Sequence, residues 1–137
     1  MTSKFYIVIF CFLFSVKLAY AEVIEVNNAQ ILELSKKNIP IIDIRRNSEW
    51  EQTGIVPKSI LLTFFDQNGK YNFDEWYTKL NLKVEKGKPI ILICRTGRRT
   101  KIIAEMMDKK LDFKIYNSKN GITSWIDAKL PTVKPEY

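Results

Sequence analysis

"IILICRTGRRT", residues 90–100, is the stretch of this chain that says most about its fold. It begins with four consecutive apolar residues, a run typical of a strand buried on both faces of a parallel sheet. The run leads directly into Cys94, and a glycine and three arginines follow within the next five residues. Because arginines repel one another, a purely structural turn seldom contains so many of them. The stretch therefore indicates a buried strand that ends at a binding site for a negatively charged group.

The segments on either side alternate between strand and helix patterns. Short apolar runs predict further strands at residues 22–26, 39–44, 59–65 and 113–117. Apolar periodicity and capping residues predict helices at residues 28–37, 48–53, 74–80 and 99–110, and a last short helix after Gly121. This alternation predicts an α/β fold of about five mostly parallel strands with helices on both faces, a three-layer sandwich. Ligands bind such sheets at the carboxyl ends of strands, where both Cys94 and Asp43 are expected.

The first 21 residues have the pattern of a secretory signal peptide. A basic residue, Lys4, precedes an apolar run at residues 5–16, and the segment ends in the small-x-small sequence of residues 19–21. A membrane anchor is the alternative, but a spanning helix needs about 20 apolar residues and Lys17 interrupts this run. We expect a signal peptide at residues 1–21 and one domain at residues 22–137. The domain is expected to be exported, to the periplasm, with no stable membrane insertion after cleavage.

Composition excludes several classes of function. The net charge of the 137-residue chain is +7, but its lysines are scattered and no basic run with interleaved aromatic residues occurs. We therefore expect small anions as partners, and no nucleic acid. The chain has no histidine, which excludes Cys–His and Ser–His–Asp nucleophiles and most zinc sites. No metal or other cofactor is expected, and the domain is expected to be a monomer.

The cysteine count singles out Cys94. The other cysteine of the chain, Cys11, lies in the segment that signal cleavage would remove. The mature domain would then hold a single thiol, although exported proteins usually carry cysteines in pairs. A buried cysteine that serves only to fill space is the alternative interpretation.

The loop after Cys94 has the properties of an anion-binding site. Gly97 allows the backbone to curl, so that successive N–H groups point inward and combine with those of the following helix start. The first anion held there would be the thiolate of Cys94, which a helix N-terminus and nearby arginines stabilise. The second would be the substrate, attracted by Arg95, Arg98 and Arg99, whose planar forks suit sulfonate or phosphate oxygens.

The loop and three further motifs resemble the rhodanese sulfurtransferases. Residues 94–99 resemble the active-site loop of that family, with a glycine at the fourth place and an arginine at the sixth. "IIDIR" with "EW", "GIVPKSI" and "NGITSW" resemble its other motifs in the same order, so the resemblance covers about residues 22–133. The family commonly has Gly-His-Ile where this chain has Gly-Ile-Val at residues 54–56, which we interpret as a packing change.

The resemblance implies a rhodanese-like sandwich and a sulfur-transfer cycle. Cys94 would take the outer sulfur of a small anionic donor such as thiosulfate, hold it as a persulfide, and pass it to cyanide, a thiol or a protein thiol. Cys94 and Arg99 are the expected catalytic residues. The expected substrate-binding residues are Arg95, Thr96, Gly97, Arg98 and Thr100.

Two further residues are expected to support the loop. Asp43 would accept hydrogen bonds from the loop backbone or from Arg99, although a simple charge at a strand end is an equal alternative. Arg45 is expected to form a structural ion pair with Glu49.

Two other functions remain open. A persulfide carrier or sulfur-binding module without turnover would use the same residues. Phosphatases of the dual-specificity cell-cycle type and arsenate reductases resemble this family but have five residues between the cysteine and the arginine. Here four residues separate Cys94 from Arg99, and Thr100 occupies the place of the phosphatase arginine. Loop length therefore favours sulfur transfer.

Overall fold

A parallel sheet of five strands forms the centre of the described part of the chain. The structure is a computed structural model that describes residues 23–110 and 114–137. The strands are β1 (Val23–Val26), β2 (Ile41–Asp43), β3 (Ile60–Leu61), β4 (Ile90–Ile93) and β5 (Ile115–Ser118). Their order across the sheet is β1-β5-β4-β2-β3, and every neighbouring pair is parallel. All four residues of the central strand β4 are buried, as its apolar sequence predicts.

Helices cover both faces of this sheet. They are α1 (Asn28–Lys36), α2 (Asn47–Thr53), α3 (Phe73–Asn81), α4 (Arg98–Lys110) and α5 (Gly121–Asp127). Alternate residues of β4 point to opposite faces: Leu92 packs in a core cluster with Trp76 of α3 and Ile103 of α4. Ile93 packs in a second cluster with Ile31 of α1 and Trp125 of α5. The predicted α/β sandwich with helices on both faces is confirmed.

The third strand is much shorter than the sequence predicted. Residues 59–65 form a strand only at Ile60–Leu61. The chain still follows β2, because the N–H groups of Leu62 and Phe64 donate to backbone carbonyls at the end of that strand, at 3.0 and 3.1 Å. However, the ring of Phe64 packs 5.1 Å from the rings of both Tyr71 and Trp76. Packing of this ring with α3 and the preceding loop takes the chain out of the regular strand.

Some predictions concern residues outside the described part of the chain. The signal peptide at residues 1–21 lies there, as do Glu22 and Phe113, the first residues of two predicted strands. Among residues 23–110 and 114–137, no helix has both the length and the apolar character that a bilayer-spanning segment requires.

Candidate active site

Cys94 lies immediately after β4, at the carboxyl end of the central strand, as the sequence predicted. The residue is completely buried. Its Sγ accepts a hydrogen bond from the backbone N–H of Gly97 at 3.1 Å and lies 3.4 Å from Oγ1 of the buried Thr100. The sulfur therefore has a fixed backbone donor beside it.

The conformation of the loop requires glycine at position 97. Gly97 has a φ of +88°, in the left-handed region that side chains rarely adopt. A Cβ there would also lie 3.0 Å from the carbonyl oxygen of Ser118 and 3.2 Å from the backbone nitrogen of Asn120. The predicted need for a flexible residue in this loop is thus explained by backbone conformation and by the close approach of the segment after β5.

The backbone N–H and the backbone carbonyl of Gly97 are both hydrogen-bonded. Its N–H donates to the sulfur of Cys94, and the carbonyl of Gly97 accepts hydrogen bonds from Thr100 Oγ1 at 3.1 Å and Asn117 Nδ2 at 3.5 Å. Asn117 is buried in β5 and was not predicted as a site residue. Its contact with the loop depends on the pairing of β5 with β4, for which no local sequence signal exists.

The start of α5 holds the other side of the loop. The N–H of Ile122 donates to the carbonyl of Cys94 at 2.8 Å, and both the N–H and the Oγ1 of Thr123 donate to the carbonyl of Arg95, at 3.1 and 2.9 Å. A Cβ at Gly121 would lie 2.6 Å from the carbonyl oxygen of Arg95, so only glycine allows this approach. This explains the "NGITSW" motif. These hydrogen bonds attach the loop to α5 through two of its carbonyls.

Arg99 is bound by a glutamate on α2. Its Nη1 and Nη2 donate to the two carboxylate oxygens of Glu49 at 2.9 and 2.6 Å, a bidentate pair. Burial alone would raise the pKa of Glu49, but hydrogen bonds from Arg99 and from the Arg46 backbone lower it to about 2. The pKa of Arg99 is raised, chiefly by its hydrogen bonds with Glu49, to which the charges of Glu49, Cys94 and Asp43 add. Both side chains are therefore charged at neutral pH.

The expected partners of Asp43 and Arg45 were wrong. Asp43 contacts neither Arg99 nor the loop through a hydrogen bond; its carboxylate accepts from Arg45 Nε at 3.0 Å and Nη2 at 2.8 Å. Arg45 in turn bonds Thr53 Oγ1 and the carbonyl of Gly54, and touches only the backbone of Glu49. The physical reason is that residues two apart in an extended chain point the same way, so the chain that leaves β2 brings Arg45 beside Asp43.

The other predicted substrate-binding residues lie on the surface of the loop. Arg95, Thr96 and Arg98 are exposed. Their side chains have no hydrogen-bond or ion-pair partner within residues 23–110 and 114–137. Arg95 lines a cleft with α2 and α5, and Arg98 is the first residue of α4. Their roles in substrate binding stay predictions. In the described part of the chain, no group of three His, Cys, Asp or Glu side chains is placed to hold a metal ion.

Comparison with known proteins supports the fold and the motifs. The family model of the rhodanese-like domain matches residues 28–128. A rhodanese domain-containing protein of Drosophila melanogaster is 37% identical over 65 residues, which is 45% of this chain and 59% of that relative. The match thus spans less than two thirds of the relative's length.

Solved structures agree in fold. A crystal structure of an M. tuberculosis protein has a TM-score of 0.69 at 20% identity, covering 84% of this chain and 99% of that one. A polysulfide-sulfur transferase homodimer from Wolinella succinogenes has a TM-score of 0.64 at 18% identity, covering 84% of this chain and 81% of that one. At these identities the likeness shows the fold alone.

Proposed function

Because the chain belongs to the rhodanese-like domain family, we propose that it is a sulfurtransferase that carries a sulfane sulfur as a persulfide on Cys94. The observation that carries the proposal is the hydrogen bond from the Gly97 N–H to the Cys94 sulfur at 3.1 Å. It places a fixed donor where negative charge must be stabilised, and its geometry is held by Thr100, Asn117 and α5.

The first half-reaction loads the cysteine. The thiolate of Cys94 attacks the outer sulfur of thiosulfate, a new S–S bond forms, and the S–S bond of thiosulfate breaks as sulfite leaves with the electron pair. The terminal sulfur of the resulting persulfide carries the negative charge. The N–H of Gly97 is the donor that contacts the Cys94 sulfur, since the Thr100 hydroxyl already donates to the carbonyl of Gly97.

The second half-reaction discharges the persulfide. A nucleophilic acceptor, cyanide or a thiolate, attacks the terminal sulfur and displaces the Cys94 thiolate as leaving group. With cyanide the product is thiocyanate, and with a thiol or protein thiol the product is a new persulfide. No net redox change occurs on the protein, so the proposed cycle needs no cofactor.

Access to the sulfur requires movement of the loop surface. Cys94 is completely buried, so a donor reaches Sγ only after neighbouring groups shift. Arg98 is exposed at the start of α4 and has no partner in the described part of the chain, which leaves its charge available to attract an anionic donor. Arg99, paired with Glu49, instead fixes the loop to α2.

Mass spectrometry of the protein after incubation with thiosulfate tests the proposal. We expect a gain of about 32 Da, one sulfur atom, that maps to Cys94. Cyanide should remove it with formation of thiocyanate. Cys94→Ser is the control: it should keep the fold and gain no sulfur, because a hydroxyl without an adjacent base is not a nucleophile at neutral pH. Absence of loading in the folded wild-type protein would contradict the proposal.

Assays of repeated turnover and of phosphatase activity separate the alternatives. A persulfide that forms but is discharged only once by cyanide or thiols, without repeated cycles, would identify a carrier. Efficient hydrolysis of p-nitrophenyl phosphate that depends on Cys94 would identify a phosphatase. We expect the latter activity to be negligible, because the interval of four residues between Cys94 and Arg99 makes a narrow cradle.

A further inference from the structure

We propose that the cleft between α2 and α5 is a binding site for a small zwitterion of the α-amino acid type. The cleft has a volume of about 180 Å³ and is lined by Arg95 of the loop, by Gln52 and Thr53 of α2, and by residues of α5. It shares Arg95 with the loop of the proposed sulfur site, but Cys94 itself is not part of its lining. Cys94 packs into the core cluster on the α3–α4 face of the sheet, whereas Ile122, which lines the cleft, belongs to the cluster on the other face.

Two opposite charges in this cleft have no partner. Arg45 and Glu49 also line it, but both are engaged, with Asp43 and Arg99 respectively. Arg95, on the loop, and Asp127, on α5, form no ion pair and no side-chain hydrogen bond with any residue of the described ranges. An arginine fork binds a carboxylate well, and a carboxylate binds an ammonium group. A ligand that carries both charges would therefore satisfy both walls.

The position of Asp127 is unfavourable for the helix on which it lies. Asp127 is the last residue of α5, where the negative end of the helix dipole repels a carboxylate. Asp127 forms no ion pair with a basic side chain in the described part of the chain. An ammonium group bound in the cleft would compensate the charge of Asp127.

The apolar lining and the size of the cleft define the rest of the ligand. Ile122 is buried and Ile126 is 40% exposed, so the α5 side of the cleft offers an aliphatic surface. A volume of about 180 Å³ admits only a small ligand. An α-amino acid with a short aliphatic side chain fits: carboxylate on Arg95, ammonium on Asp127 and side chain against Ile126.

L-2-Aminobutyrate is a suitable probe, with butyrate and n-propylamine as matched molecules that each lack one charge. Binding to the full chain is followed by NMR through the methyl groups of Ile122 and Ile126. We expect saturable binding of 2-aminobutyrate below about 10 mM, a weak affinity suited to so small a ligand. Both single-charge molecules should bind at least tenfold more weakly. The absence of saturable shifts in this range, or equal binding of butyrate, would overturn the proposal.

Substitution of Asp127 sharpens the test. Asp127→Asn should weaken 2-aminobutyrate binding at least tenfold and leave the binding of butyrate unchanged or stronger. It should not lower the melting temperature, because it removes a charge that the helix dipole opposes. Glu105→Gln, which neutralises another exposed acid, on α4, is the control and should leave binding unchanged. Unaltered affinity in the Asp127 variant would overturn the site. Sulfur loading of Cys94 is independent of either result.

Discussion

Two arginine–carboxylate pairs lie near the carboxyl end of the sheet, and they differ in burial. The side chains of Arg45 and Asp43 are 1% and 0% exposed, and Arg45 has three further acceptors on α2 and the residue after it. Those of Arg99 and Glu49 are 25% and 15% exposed, and Arg99 has no acceptor besides the glutamate in the described part of the chain. From this difference we expect the buried pair to stabilise the fold and the accessible pair to position the loop after Cys94.

The largest expected effect comes from breaking the buried pair. Arg45→Leu leaves the carboxylate of Asp43 buried without its partner, which typically costs about 3–5 kcal/mol. Urea denaturation measures the change in the free energy of unfolding. The double variant Asp43→Asn/Arg45→Leu is the control and should recover part of the loss, because no unpaired charge remains. A single variant no less stable than the wild type would show that the pair has no structural role.

Loss of the accessible pair should affect sulfur loading more than the fold. Glu49→Gln removes the charge that holds Arg99, at a cost of about 1.5–3 kcal/mol for hydrogen bonds to charged groups. We expect slower formation of the Cys94 persulfide under conditions where the variant is fully folded, measured by rapid quench with thiosulfate. Glu51→Gln, on the same helix but hydrogen-bonded to Tyr137 instead, is the matched control. Equal loading rates in the two variants would show that Glu49 does not position the loop for sulfur loading.

Acid should weaken the accessible pair in a defined range of pH. The pKa of Glu49 is about 2 in the folded protein, against an ordinary value of 4.5. A lowered folded-state pKa stabilises the protein fully above the ordinary value, and the contribution is lost as the pH falls toward the folded value. The difference in unfolding free energy between wild type and Glu49→Gln should be constant above about pH 5.5 and shrink between about pH 4.5 and 2. If this difference in unfolding free energy grew as the pH fell, the lowered pKa assigned to Glu49 would be wrong.

The smallest expected effect concerns an arginine outside both pairs. Arg98→Ala should raise the apparent KM for thiosulfate by an amount that corresponds to on the order of 1 kcal/mol of binding free energy, or less. It should also reduce the salt dependence of KM, because the charge of Arg98 is exposed and screened. Stopped-flow loading at two salt concentrations measures this. Discharge of a preloaded persulfide to a neutral thiol should change little. Lys83→Ala, which neutralises a charge at the opposite end of the sheet, is the control. Unchanged loading in the Arg98 variant would leave that arginine without a role in donor binding.

The sequence by itself determined the class of fold and the centre of the site. Apolar runs for buried strands, alternating with periodic helices, are local patterns, and they placed Cys94 at the end of the central strand. The sequence also predicted a curled loop at Gly97, whereas the close approach of Ser118 and Asn120 to that residue is a tertiary contact.

Only the tertiary structure decided which charges pair and what holds the loop. Glu49 and Arg99 are 50 residues apart in the chain, and Asn117 and Gly97 are 20 apart. Such contacts depend on the order of strands in the sheet, and the same side chains could form other pairs of similar energy. The sequence therefore showed the arginines and carboxylates of the site, but Glu49 was matched to Arg99 only when α2 and the loop were brought together. The pair of Asp43 and Arg45 is local, between residues two apart in an extended chain.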